Sequence, residues 1–287
     1  MRRRLRVRRD ESRRCGHCGH CGHCGHCEAL DLNAGGVASH VTDLSPLTNL
    51  THLQLIRLDF NKGKIEDLTP LGQLPNLQSL QLQSAGEIPD LAGLRAAPKL
   101  NQLNLNRTML DDVSALGDIA TLKVLLLDFD GLTKKESVSK LTNVQELSIG
   151  TSLGDATPLG ALTQLKKLNL AGSTLSNVSA LSTLVNLTFI DLTATSMSDI
   201  SYMTGMTSLE EASFGYSQVN SIASLKNLHH LQIVRMAYTL VTDLTPLVEN
   251  LDFGAGDTFI VAGSYSNCQS PGVSVLKQRG VLTPGCT

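Results

Sequence analysis

One phrase returns along this chain at a nearly fixed interval, and it constrains the fold more than any local motif does. It reads TDLSPL at 42–47, EDLTPL at 66–71, PDLAGL at 89–94, DDVSAL at 111–116, GDATPL at 154–159, SNVSAL at 176–181, SDISYM at 198–203, NSIASL at 220–225 and TDLTPL at 242–247. Clear neighbours stand close to 22 residues apart. A period in this range is the mark of a solenoid: one unit cannot bury its own apolar face, and stacked units do it for one another.

The unit that starts at Leu175 shows the grammar. Its apolar positions run Val178, Leu181, Leu184, Leu187, Ile190, Leu192 and Met197, so steps of three give way to a step of two and then a longer gap. Steps of three suit tight turns and 3₁₀ segments rather than an α-helical stripe. The step of two is a short strand with both apolar residues on one side. Asp, Ser and Pro at the head of each return fit a capped start, where Pro is tolerated because no donor is needed. A shared Leu, Ile and Val core also accounts for a chain with no Trp, 3% aromatic residues and only 17% charged residues, which a compact globule built around rings would not have.

The pattern resembles leucine-rich repeats, most closely the 22-residue class of bacterial internalin-like proteins, over about residues 29–265. The resemblance implies an α/β solenoid of about ten repeats, a right-handed horseshoe with a parallel sheet on its concave side and 3₁₀ or short helical returns on its convex side. Strands are expected at Leu30/Leu32, Ile56/Leu58, Leu80/Leu82, Leu103/Leu105, Leu125/Leu127, Leu147/Ile149, Leu168/Leu170, Ile190/Leu192, Ala212/Phe214 and Val234/Met236, with Phe259/Val261 as a last rung. Short insertions fall at 33–40 and 61–64. The family usually carries Asn three residues past the second strand leucine. Here Thr108, Asp130, Ser173, Thr195, Ser217 and Thr239 stand there, so a hydroxyl making one bond often replaces an amide making several.

Residues 266–287 read as a C-terminal cap. Ser270 is placed to cap a helix that begins at Pro271 and stops at Gly280, with Val273 and Leu276 facing in. The stretch resembles the end cap of secreted bacterial leucine-rich repeat proteins, and that resemblance implies a disulfide between Cys268 and Cys286, hence an oxidising compartment. Two idle thiols are the alternative. No N-terminal counterpart is legible.

Residues 1–28 form a basic tail expected to be disordered. It carries eight arginines and the tract CGHCGHCGHCGHC, in which Cys15, His17, Cys18, His20, Cys21, His23, Cys24, His26 and Cys27 are all metal-ligand types. Zinc is the cofactor such a set would take, since CxxC spacing lets two thiolates chelate one ion. However, nothing folds back to complete a closed site. A thiol-redox role also fits CGHC, but neither the strand before the motif nor the helix after it is present. An expanded coding repeat tolerated in a tail is the third reading, favoured by the unvarying unit.

No nucleophile with its base, HExxH, Walker A or GxGxxG motif occurs, so no enzyme is expected. DFDG at 128–131 lacks the rest of a calcium loop, and His229 and His230 fall on a return facing solvent. No apolar run approaches a membrane span and no secretory signal is legible. A nucleic-acid role rests on the basic tail alone. The resemblance instead implies a protein-interaction module, a monomer binding a protein partner through its concave face. The expected contact residues are Arg57, Leu126, Phe129, Phe189, Asp191, Glu211, Tyr216, Arg235 and Tyr238, because exposed rings and arginines make interface hot spots. The expected location is extracellular or at the cell surface; a cytoplasmic scaffold of the phosphatase-regulator kind is the alternative if the two cysteines are reduced.

Overall fold

Every repeat opens on three extended residues whose middle side chain points inward, and it closes through a tight return that brings the next three alongside. The computed structural model describes residues 27–32, 40–88, 90–128, 132–150, 153–261 and 268–286. These fall into two compact units, Met1–Val144 and Gln145–Thr287, and each is built as a leucine-rich repeat solenoid. The first holds β1 (Ala29–Asp31), β2 (Leu55–Arg57), β3 (Ser79–Gln81), β4 (Gln102–Asn104) and β5 (Val124–Leu126). They pair in chain order, all parallel, with Leu30, Ile56, Leu80, Leu103 and Leu125 in one register row. The second holds β6 (Glu146–Ser148), β7 (Lys167–Asn169), β8 (Phe189–Asp191), β9 (Glu211–Ser213), β10 (Ile233–Arg235) and β11 (Thr258–Ile260). Leu147, Leu168, Ile190, Ala212, Val234 and Phe259 form its row.

Each strand thus starts one residue before the expected leucine and ends before the second one. The pairing nevertheless continues through that second residue, whose N–H bonds the carbonyl of the next rung: Leu58 to Gln81 at 2.8 Å, Leu82 to Asn104 at 2.8 Å, Leu192 to Ser213 at 2.7 Å. Both apolar side chains of a rung are therefore locked inward. The two inward positions are sealed from water in both units, as Ile56, Leu58, Leu80, Leu82, Leu168, Leu170, Ile190 and Leu192 show at 0% exposure. Each such side chain contributes about 1.5–3 kcal/mol on burial.

The returns are 3₁₀ turns and one-turn helices, such as Ser114–Asp118, Thr157–Ala161 and Thr69–Gly72. Seven of their starts are fixed by aspartate. Asp43, Asp67, Asp90, Asp112, Asp155, Asp199 and Asp243 each accept the N–H two residues on, at 2.7–2.9 Å. Neighbouring returns touch closely where glycine permits it. A Cβ at Gly72 would lie 1.9 Å from the Gly93 carbonyl oxygen, and one at Gly93 would lie 2.4 Å from the Thr69 nitrogen.

Where the turn after the strand needs a polar tie, a hydroxyl donates one bond. Thr108 donates to Leu105, Thr195 to Leu192 at 2.7 Å, Ser217 to Phe214, Thr239 to Met236 and Ser173 to Gly150. One rung keeps an asparagine at this place. Asn61, 1% exposed, donates from Nδ2 to the carbonyls of Val41 (2.8 Å) and Gly63 (2.9 Å), and its Oδ1 accepts from the amides of Val41 (2.8 Å) and Gly63 (3.4 Å).

The chain ends in the helix Pro271–Gln278, with the Ser270 hydroxyl accepting from Gly272 N–H, Val273 and Leu276 buried, and Gly280 in the left-handed region at φ 89°. Leu282 then adds a short parallel bridge to β11: Phe259 N–H donates to Leu282, and Leu282 N–H donates to Asp257. The far side of β11 is thereby covered, which removes an open edge. Cys268 and Cys286 are joined by a disulfide. Arg279 binds the cap to the last return, donating to the carbonyls of Val248 (2.7 Å), Asn250 (2.9 Å) and Phe253 (3.2 Å).

Candidate partner-binding face

Because side chains alternate across a strand, the first and third residues of each rung face away from the core. In the second unit these outward positions carry charge. Lys167 pairs with Glu146 at 2.9 Å, and the Arg235 guanidinium pairs with Glu211 while also reaching the Ser213 hydroxyl at 3.4 Å. Phe189, which opens β8, is half-buried between them. Asp191 is not a free carboxylate: its Oδ1 accepts the Thr193 N–H at 2.8 Å and so holds the turn.

Ser148 and Ser213 stand in the same outward column, yet both are buried, at 7% and 4% exposure. In the case of Ser213 the longer Arg235 side chain beside it lies over the hydroxyl. A short side chain between long neighbours does not reach water.

Two residues past the second inward residue of seven rungs, the backbone turns left-handed. Phe60, Ser84, Arg107, Gly172, Ala194, Tyr216 and Tyr238 all have φ between 53° and 75°, and the N–H there bonds the next rung, as Tyr216 does to Ala237 at 2.7 Å. A non-glycine residue in this region costs about 1–2 kcal/mol. Gly172 shows that glycine serves the turn, and Ala194 and Ser84 show that a small side chain does. Aromatic rings are not required by the fold at this position. Phe60, Tyr216 and Tyr238 nevertheless hold rings there, 55%, 60% and 52% exposed. The two tyrosines stack, with ring centroids 4.5 Å apart and planes 22° from parallel. Leu240, two residues on, adds a 63% exposed apolar side chain beside Tyr238.

In the first unit Arg57 lies 3.9 Å from Asp31, both about half exposed, and Leu126 is half-buried at the end of β5. Phe129 lies outside the described residues, as do Asp130 and Gly131 of DFDG and all ligand candidates of the Cys/His tract except Cys27, which is buried. No group of three metal-ligating side chains occurs among the described residues. His229 is exposed on its return and meets Asp252 at 2.7 Å. No helix among the described residues is long and apolar enough to cross a membrane.

The left-handed turn has no glycine signature in the sequence beyond Gly172, so the strain beneath the aromatic column is not legible there. Nor is the Arg279 clamp, whose three acceptors lie 26 to 31 residues earlier.

No protein-family model matches the sequence, and no curated protein is similar to it in sequence. Among solved structures the chain is similar to an internalin from Listeria monocytogenes, with a TM-score of 0.69 at 22% identity over 85% of this chain and 70% of that one. It is also similar to a leucine-rich repeat protein of Leptospira interrogans, with a TM-score of 0.53 at 17% identity over 90% and 78% of the two chains. At these identities the likeness is one of fold, and the fold is the leucine-rich repeat solenoid.

Proposed function

We propose that this protein is a non-catalytic interaction module that binds a protein partner through the outward side chains of its strands and the turns that follow them. The observation that carries this reading is the stacked pair Tyr216 and Tyr238, held in the open on left-handed backbone that glycine would occupy without strain. Large rings kept exposed at a cost to stability are best accounted for by what they touch in a complex, since Tyr and Arg dominate interface hot spots. Phe189, Asp191, Glu211 and Arg235 stand on β8, β9 and β10, the last two of which lead into the tyrosine turns, and Arg57, Leu126 and Phe129 extend the same reading to the first unit. The internalin-like fold supports an interaction role in general terms and leaves the partner to these exposed residues.

No cofactor enters this reading, and the protein acts as a monomer. The disulfide between Cys268 and Cys286 favours an oxidising compartment, at the cell surface or outside the cell. Affinity capture with the parent chain and with the variant Arg57→Ala, Tyr216→Ala, Arg235→Ala, Tyr238→Ala tests the proposal. A partner retained by the parent is lost by the variant at unchanged thermal stability; capture of the same partners by both chains overturns it.

A further inference from the structure

The first unit carries a concentration of amide side chains that the partner reading does not use. Gln54, Gln78 and Asn101 stand just before β2, β3 and β4, one above another, and Gln81, Gln102 and Asn104 belong to β3 and β4 themselves. All six line one shallow depression of about 540 Å³ on the strand face.

The fold does not ask for these amides. The residue before each strand contributes its carbonyl, which accepts two N–H groups from the next rung: Gln54 takes Gln78 and Ser79 (2.8 and 2.9 Å), and Gln78 takes Asn101 and Gln102 (2.9 and 3.0 Å). In the second unit the same backbone role is filled by Gln145, Lys166, Thr188, Glu210 and Gln232, amides only at the two ends of the series. The side chain is therefore free to vary, and on three consecutive rungs of the first unit it is an amide. The side chains of Gln54, Gln78, Asn101 and Gln102 make no hydrogen bond to any described residue. Asn104 commits only its Oδ1, to the Asn106 N–H at 3.0 Å, and Gln81 donates once, to Ser79 at 3.0 Å.

The chemistry of the lining selects a class of ligand. Each amide offers donors and acceptors without charge. The depression contains no aromatic ring, whereas the core of a protein interface is rich in them. Its two charged groups, Arg57 and Asp59, are of opposite sign, so it has no bias toward an anion or a cation. A ligand dense in hydroxyls, each both donor and acceptor, matches such a surface. Rungs repeating at about 4.8 Å present these amides in rows, which suits a ligand that is itself a repeating chain. We propose that this amide-lined depression binds a neutral glycan.

The test titrates the full chain with cellohexaose, maltohexaose and chitohexaose, read by saturation-transfer NMR and calorimetry, beside an uncharged extended hexapeptide. At least one saccharide saturates the parent. The double variant Gln78→Ala, Gln102→Ala binds it about tenfold or more weakly, with its unfolding unchanged because neither side chain is bonded to a described residue. The variant Tyr216→Ala, Tyr238→Ala binds it as the parent does, which separates this site from the Tyr216 and Tyr238 surface. No transfer to any of the three saccharides, undiminished binding in the amide variant, or tighter binding of the hexapeptide overturns the proposal.

Discussion

Replacing Asn61 tests whether a single amide ties the turn that five other rungs tie with a hydroxyl. In Asn61→Ala four hydrogen bonds are lost, three of them at 2.8–2.9 Å, from a side chain 1% exposed. At about 0.5–1.5 kcal/mol net for each, the loss comes to about 2–6 kcal/mol. Thr195→Val removes one hydroxyl bond, to Leu192 at 2.7 Å, at nearly constant shape and is expected to cost about 1 kcal/mol. Asn61→Thr, which can restore one of the four, falls between them. Urea unfolding gives the three values, and hydrogen exchange gives the location, with the amides of Val41 and Gly63 losing protection first. If Asn61→Ala costs no more than Thr195→Val, the amide is not the tie described.

Gly72→Ala is expected to destabilise the first unit by more than about 1 kcal/mol in urea unfolding, since its Cβ would meet the Gly93 carbonyl at 1.9 Å, and overpacking costs about 1–3 kcal/mol; a neutral result would contradict the close approach of the returns. Hydrogen bonds from the Ser or Thr two residues on hold the carboxyls of Asp43, Asp67, Asp112, Asp155 and Asp243 below their ordinary value of 3.8. A depressed folded value gives stability that is fully present above the unfolded value and is lost as pH falls through the folded one. The melting temperature should therefore fall below about pH 4, and a fivefold Asp→Asn variant, which keeps the acceptors, should lose much of that slope. Removing the disulfide with Cys268→Ser, Cys286→Ser is expected to cost about 3 kcal/mol for a loop of this length. Arg279→Ala is expected to cost about 2 kcal/mol or more for its three carbonyl bonds. The two losses should be less than additive because both release the same cap, and full additivity by urea unfolding would contradict the shared role of Arg279 and the disulfide.

Much of the fold was legible because it rests on spacing. The step of two from Ile190 to Leu192 and the Asp at the head of most returns are local signals, and they place strands and returns to within a residue. The cap was legible for the same reason: Ser270, Pro271 and Gly280 each satisfy a backbone need within one helix. The site was less legible, since it depends on neighbours about 22 residues away. Asp191 looks in sequence like a free carboxylate, and only the turn geometry gives it to Thr193. Ser213 looks exposed until Arg235 of the following rung lies over it. The strain under Tyr216 and Tyr238 has no sequence signal of its own, because the frame accepts Ser, Arg, Ala and Gly at that position alike.

The central claim, that a protein partner is met at the Tyr216 and Tyr238 surface, is tested most directly by site-specific photo-crosslinking among the proteins of the natural source. A photoreactive residue at 238 should give one discrete adduct, and the same residue at 230, on the return beside His229, should give none. An adduct at 230 with none at 238 would contradict the account.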